Sequence, residues 1–356
     1  GTFLPPETRK ILEAMESNAY FLAWEEVRDL IPQEWRSQLD IAEEPMAAAS
    51  LGQVHLAVEK KSGIKMAMKI QYKGVGKAID NDILAVKLLL KSMNVLPTEL
   101  DLSEVFLEIK EMLKQETNYL AEVEHCQQFA LLLKDDPDFY IPAVYSQFSN
   151  ERIICTELLS GFSPRAELVA SIDQATRNHL GERLLDLFFR EIFLWGRMQT
   201  DPNFGNFLLL PGQMGTSYRW GLLDFGATKI LPPAIAEAYQ DLILSCAYEE
   251  KKLFFKTIET LGVLSQKNQS NQDLLWSYAQ VIGKPFAGGV YDWGASDISN
   301  QVLDFLPKLF RETYLKKIPR ESIFIDRKIV GVFFILKELK ACFDARELLG
   351  KYKVKN

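Results

Sequence analysis

No two of the four cysteines form a CxxC pair: Cys126, Cys155, Cys246 and Cys342 are scattered along the 356 residues. That spacing argues against a zinc ribbon or a disulfide framework and points to a reducing compartment, not a secreted protein. Histidine is scarcer still. His55, His125 and His179 are far apart, and each reads as a surface or packing residue rather than a ligand or base. No apolar run approaches the ~18 residues of a transmembrane helix; Ile329 to Leu336 is among the longest. Positive charge is not in excess either. The 41 Lys and Arg stand against 48 Asp and Glu, a net charge of -7, so a nucleic-acid partner gets no electrostatic support. The opening GTFLPPE does not read as a signal peptide. It reads as an arbitrary start, with native sequence expected upstream. What remains is ordinary for a globular chain, 47% hydrophobic and 25% charged, and long enough for two lobes with a sizeable core.

The stretch Trp195 to Gly226 carries the chemistry. It reads WGRMQTDPNFGNFLLL, a loop, then WGLLDFG. Asp201 and Asn206 lie in a segment broken by Pro202 and Gly205. The apolar runs Phe207 to Leu210 and Trp220 to Leu223, across the turn PGQMGTS, predict a β-hairpin. The second run delivers Asp224, followed by Phe225 and Gly226. Protein kinases order their groups this way: a catalytic-loop Asp, an Asn five residues on that holds magnesium, and the metal-binding Asp of DFG. Asp201-Pro202-Asn203 alone is equally a solvated turn, so order and spacing carry the reading.

Upstream, a phosphate loop and a lysine are needed. Residues 5–36 read as two covering helices. Glu44 to Glu59 reads as strand, small-residue turn and strand, with Ala47, Ala48, Ala49, Ser50 and Gly52 at the tip and Val54, Leu56 and Val58 alternating. Kinases put glycines there; alanine resists φ > 0, so this loop is expected to be stiffer. Lys65 to Tyr72 alternates with Met66, Met68 and Ile70 on one face and Lys69 on the other, where kinases place the lysine that contacts phosphates. Gly76 to Met93 and Ser103 to Leu133 read as helices. On the second, Glu116 and Glu122 are about 240° apart at 100° per residue, so one can pair with Lys69 and the other cannot; periodicity does not choose.

Tyr140 to Gln147 and Arg152 to Leu158 read as strands, the second running into a hinge whose backbone from Thr156 to Leu159 is expected to be free to bond a flat base. Asn178 to Trp195 reads as a buried helix, and the chain after Pro232 as helical throughout.

The blocks AAASLGQVHLA, MAMKIQYKGV, ETNYLAEVEH, QTDPNFGN and LLDFGATK, in that order, closely resemble the UbiB-like (aarF-domain) atypical kinases. CTELLSGF, MQTDPNFGNF, LLDFGATK and the tail DRKIVGVFFILKELKACF resemble the branch that supports coenzyme Q biosynthesis in mitochondria. The resemblance covers essentially the whole chain. It implies an α+β, protein-kinase-like bilobal fold: an N-terminal helical extension (1–43), a kinase-like N-lobe with an alanine-rich loop (44–160) and a helical C-lobe with the catalytic loop and DFG (161–356).

The resemblance also implies roles. Ala47, Ala48, Ala49, Ser50, Gly52 and Gln53 match the alanine-rich nucleotide loop, Lys69 the nucleotide lysine, and Glu122 its helix partner. Glu157 and Leu159 are expected to bind the base. Asp201 matches the catalytic Asp, and Asn206 and Asp224 the metal ligands. Glu116 matches the first residue of an ExD motif whose Asp is here Asn118. Gln199 stands where many members have His, and Lys73 where many have proline. A KxGQ segment that folds over the substrate cleft is expected upstream of residue 1. The implied cofactors are ATP or ADP and Mg2+. The implied activity is an atypical kinase or ATPase, with nucleotide held between the lobes and hydrolysis tied to lipid or to coenzyme Q biosynthetic proteins rather than to protein phosphorylation. An isoprenoid quinone precursor is an expected partner, and peripheral membrane association, in the cytoplasm or mitochondrial matrix, the expected location. The rivals are a small-molecule kinase of the aminoglycoside-phosphotransferase kind and a nucleotide-dependent lipid-binding scaffold.

Overall fold

The computed structural model describes residues 21–49, 51–75, 83–84, 110–111, 113–165, 169–212, 217–262, 269–298, 300–302, 304–305 and 320–353. Ser50, the first expected helix before residue 21 and nearly all of the expected helix 76–93 lie outside them. The chain forms two compact units. Unit 1 holds residues up to Lys134, Ile141–Ser160 and Asp224–Ala227; unit 2 holds Asp135–Tyr140, Gly161–Leu223 and Thr228 onward.

Helices α1 (Trp24–Arg28) and α2 (Gln33–Gln38) lead directly into strand β1 (Leu39–Ala49), which starts earlier than the sequence pattern suggested. Strands β2 (Gly52–Glu59) and β3 (Lys65–Gln71) follow, then helix α3 (Tyr119–Leu132). After β4 (Phe139–Tyr140), a piece of unit 2, the chain returns as β5 (Ile153–Glu157). The sheet of unit 1 is antiparallel in the order β1-β2-β3-β5. Its core joins Val27, Ile31 and Leu39 to Ala57, Met66, Met68, Ile70, Ile153 and Cys155. The N-terminal helices therefore share the sheet's core and are not a separate body.

The buried face of β2 inverts the simple pattern. Gln53 and His55 are fully buried beside Ala57, while Val54 and Leu56 are half-buried on the opposite face. Buried polar groups need partners, and these have them. The Gln53 amide meets the Leu22 backbone, His55 and the Tyr72 hydroxyl, and His55 Nδ1 lies 2.7 Å from the Ala42 carbonyl. Burial pushes the His55 imidazole below its ordinary range against that backbone contact.

Two expectations fail locally. The expected strand 140–147 is only Phe139–Tyr140, followed by a bridge at Val144 and a turn at Ser146–Phe148, because Pro142 removes a ladder donor. The expected helix to Leu133 is interrupted at Thr117–Asn118. The Asn118 side chain accepts from the Ala121 N–H at 3.2 Å and starts α3 afresh.

Unit 2 is built on helix α4 (Gln174–Phe189), capped by Asp173 and buried at Leu180, Leu184, Leu185, Leu187, Phe188 and Phe189. It continues through wider π turns, Arg190–Trp195, and stops at Gly196, φ +54°. Arg183 and Arg190 of this helix pair with Asp136, Asp138 and Asp186, fastening the segment that carries β4. Short strand β6 (Arg197–Gln199) leads to the predicted hairpin, β7 (Phe207–Pro211) antiparallel to β8 (Tyr218–Leu222), with β4 parallel to β8. β9 (Thr228–Ile230) pairs with β6. Helices α5 (Pro233–Ala247), α6 (Lys251–Thr260), α7 (Gln269–Gly283), α8 (Arg320–Glu338) and α9 (Ala345–Gly350) follow among the described residues. A small pair, Tyr291–Asp292 with Cys342–Phe343, interrupts the expected all-helical tail.

Candidate active site

In unit 1, Lys69 lies on the half-buried face of β3, opposite Met68 and Ile70, as its alternation requires. Its Nζ donates to Glu122 Oε1 at 3.0 Å, Glu122 Oε2 at 3.1 Å and Asp224 Oδ2 at 2.9 Å, and stands 5.0 Å from the Tyr119 ring centroid. Tyr119, Glu122, Cys126 and Phe129 form the buried stripe of α3, which aims Glu122 at the sheet. Phe225 packs on Phe129, ring centroids 4.9 Å apart, and so anchors Asp224. The Gly226 N–H donates to Asp224 Oδ1 at 2.9 Å.

One ammonium shared by two carboxylates splits their titrations. Burial pushes Glu122 up to about 7, with Lys69 offsetting only part of it. Burial also opposes the Asp224 charge, but Lys69 and the Gly226 N–H prevail and hold that carboxyl below its ordinary range. Burial opposes the Lys69 charge as well, yet Asp224 and Glu122 hold its ammonium well above the ordinary lysine value.

In unit 2, Asn206 Nδ2 donates to the Asp201 carbonyl at 3.1 Å and to Asp201 Oδ2 at 2.9 Å. Asn203 Oδ1 accepts from the Gly205 N–H at 2.9 Å and shapes the turn. The Leu223 N–H donates to the Asn206 carbonyl, joining the loop to the end of β8 just before Asp224. Asp201 Oδ1 receives Arg327 at 2.6 Å. Gln199 Nε2 donates to the Asp201 carbonyl at 2.8 Å, and Lys328 is ion-paired with Glu191 at 3.1 Å. Burial pushes the Glu191 carboxyl up, against the pull of Lys328.

In unit 2, Asn206 uses its amide NH2 on Asp201 and keeps Oδ1 as an acceptor; in unit 1, the Asp224 carboxylate meets Lys69 and the Gly226 N–H. Among the described residues there is no group of three His, Cys, Asp or Glu that could hold a metal. Magnesium is commonly held by one or two protein oxygens plus phosphates and water.

The loop residues fall into place unevenly. Ala47 and Ala48 are exposed and Ala49 half-buried at the end of β1, and Ser50 lies outside the described residues. Gly52 is required by space: a Cβ there would come 2.1 Å from the Ile70 carbonyl oxygen. Its demand comes from strand contact and not from a left-handed backbone. Gln53 is fully buried, and its side-chain amide is bonded to the Leu22 backbone, His55 and the Tyr72 hydroxyl. The hinge expectation needs correction. The Glu157 N–H donates to the Ala143 carbonyl and the Leu158 N–H to the Lys65 carbonyl, because β5 reaches Glu157. Among the described residues no backbone group bonds the Leu159 N–H. Val54, Leu56 and Ala67, half-buried on the Lys69 face, form an apolar surface suited to a flat base.

Sequence reasoning missed Tyr119, Arg327 and Lys328. All three lie within the quoted blocks ETNYLAEVEH and DRKIVGVFFILKELKACF, but no spacing argument singles them out.

A strand lysine held by a helix carboxylate and by the Asp of DFG, with an Asp-to-Asn loop ahead of the hairpin, defines a kinase-like scaffold. Residues 14–257 match the ABC1 atypical kinase-like domain, and the chain belongs to that family. It is 32% identical to "Atypical kinase COQ8B, mitochondrial" of Danio rerio, covering 98% of this chain and 56% of that protein. It is 30% identical to the rat protein of the same name, over 98% of this chain and 66% of that one. It is also 30% identical to "Atypical kinase COQ8, mitochondrial" of Saccharomyces cerevisiae, over 99% of this chain and 71% of that one. The chain thus spans less than two thirds of the zebrafish and rat relatives. Among solved structures, "The complex structure of Rv3197-erythromycin from Mycobacterium tuberculosis" aligns with a TM-score of 0.72 and 24% identity, covering 98% of this chain and 88% of that one. The fold is α+β and kinase-like.

Proposed function

We propose that the protein is an atypical kinase that binds Mg-ATP or Mg-ADP, hydrolyses ATP and supports coenzyme Q biosynthesis. The observation that carries this reading is Lys69 held by Glu122 and Asp224, a fixed cation ready to exchange a carboxylate for phosphate oxygens. Lys69 neutralises phosphate charge, Glu122 keeps the ammonium in place, and Asp201 orients the attacking hydroxyl or water. Ala47 to Ser50 cover the phosphates, and the Leu159 N–H with the Val54, Leu56 and Ala67 surface takes the base. Asn206 and Asp224 would hold magnesium, which supplies charge neutralisation at the phosphate oxygens. Most of the acceleration comes from positioning and electrostatics.

The relatives' printed names favour this reading over a small-molecule kinase, and they support a mitochondrial setting. Among the described residues no helix is long and apolar enough to cross a membrane, so the working surface is proposed to be peripheral, where an isoprenoid quinone precursor or biosynthetic proteins are met. Nucleotide hydrolysis measured with and without anionic liposomes and a quinone-precursor mimic tests the proposal. Mg-dependent hydrolysis that rises with membrane or mimic is expected. Nucleotide binding without hydrolysis under any of these conditions would favour the lipid-binding scaffold.

A further inference from the structure

Helix α8 is packed against the loop that carries Asp201. Gly331 lies so close to Pro202 that a Cβ there would come 2.0 Å from the proline Cγ, and Phe334 packs edge-on to Phe204 with ring centroids 5.4 Å apart. Beside these contacts, Lys328 is 3% exposed and its partner Glu191 1% exposed. A buried ion pair is a weak source of stability, because desolvation offsets the attraction and an apolar pair does as well or better. Stability alone therefore does not account for it.

Its third partner suggests another role. Lys328 Nζ is 3.3 Å from Gln199 Oε1, and Glu191 Oε1 accepts the Gln199 N–H at 3.1 Å. An amide has an acceptor on one side and donors on the other. Holding Oε1 on Lys328 turns Nε2 toward the Asp201 carbonyl, 2.8 Å away, while Asn206 Nδ2 reaches the same carbonyl at 3.1 Å. Gln199 is thus an uncharged connector between a buried cation and the loop.

We propose that Lys328 and Glu191 are positioning residues for Asp201, acting through the side-chain amide of Gln199. The proposal rests on the reading of Asp201 as the orienting group, and it deepens that reading by naming what fixes its backbone.

Three variants test it in the full chain. Gln199→Glu keeps an acceptor for Lys328 but removes the donor to the Asp201 carbonyl. Lys328→Met removes the cation, and because it strands a buried carboxylate, Glu191→Gln/Lys328→Met is made alongside as a neutral, foldable counterpart. Amide hydrogen exchange over residues 197–206, without nucleotide, is expected to speed up at least tenfold in Gln199→Glu and in the double variant while α4 and the sheet of unit 1 keep their protection. Turnover is expected to fall at least tenfold in kcat, with KM and the thermal shift produced by Mg-nucleotide within twofold of the parent. Unchanged exchange in the loop of both variants overturns the proposal, as does faster exchange with unchanged kcat. A parent chain that hydrolyses nothing defeats the functional reading alone, since the exchange measurement still decides whether the connector holds the loop.

Discussion

Lys69 and Glu122 meet in a fork, both carboxylate oxygens within 3.1 Å of one ammonium, and Asp224 completes its coordination at 2.9 Å. The pairing resolves the choice between Glu116 and Glu122 for a reason that differs from the one expected. The two glutamates do not share one continuous helix, because Asn118 starts a new one between them.

The pair makes a prediction about pH. Glu122 is raised from 4.5 to about 7 in the folded protein, so the folded state binds its proton more tightly than the unfolded chain. Its contribution to stability is complete below about pH 4.5 and is lost as pH rises through 7. Asp224 has the opposite sign: its lowered value contributes stability above the ordinary aspartate range that is lost as pH falls. Glu122→Gln removes only the first effect. Denaturant unfolding of both proteins should show parent stability falling relative to the variant by ~3 kcal/mol between pH 4.5 and 7.5. A difference that stays constant across this window would mean Glu122 is not strained by burial.

Asp224→Asn should abolish the stabilisation by Mg-nucleotide in thermal unfolding. The parent should gain about 2.7 kcal/mol at a ligand concentration 100 times Kd. Equal stabilisation of the variant would remove Asp224 from the metal site.

Gly52 and Gly63 separate space from conformation. Gly63 has φ +73° with nothing within 4 Å of a Cβ, whereas at Gly52 the Cβ meets the Ile70 carbonyl oxygen. Gly63→Ala should cost about 1 kcal/mol and Gly52→Ala about 2–4 kcal/mol, read by urea unfolding. The reverse order would contradict the close approach of β2 and β3.

Gly331→Ala should disturb the Asp201 loop from a distance in sequence. Its Cβ would overlap the rigid ring of Pro202, so a stability loss of about 1–3 kcal/mol is expected with at least a tenfold drop in turnover. Full activity in a folded Gly331→Ala protein would show that α8 does not set the loop.

Much of the site could be read in the chain because its signals are local. Alternation put Lys69 opposite Met68 and Ile70, and the two apolar runs around residues 213–216 gave β7 and β8. What was not legible depends on distant partners. Val54, Leu56 and Val58 read as an alternating strand, yet it is Gln53 and His55 on the other face that are fully buried, because Leu22, Ala42 and Tyr72 meet their polar atoms. Arg327 and Lys328 come to Asp201 and Gln199 from more than a hundred residues away, |i−j| = 126 and 129. Only an assembled unit 2 brings these residues to the loop. Pro142, by contrast, is a local signal: a proline inside an expected strand 140–147 removes a ladder donor and shortens it.

The central claim is that Lys69, Glu122 and Asp224 form the Mg-nucleotide site. Isothermal titration of Mg-ATP into the parent and into Lys69→Met, with circular dichroism to show that both are folded, addresses it most directly. The account predicts Mg-dependent binding by the parent and an affinity about 10- to 100-fold weaker in the variant, the value of a charge-assisted contact to phosphate. Equal affinity in the two folded proteins, or no Mg-dependent binding by the parent, would contradict it.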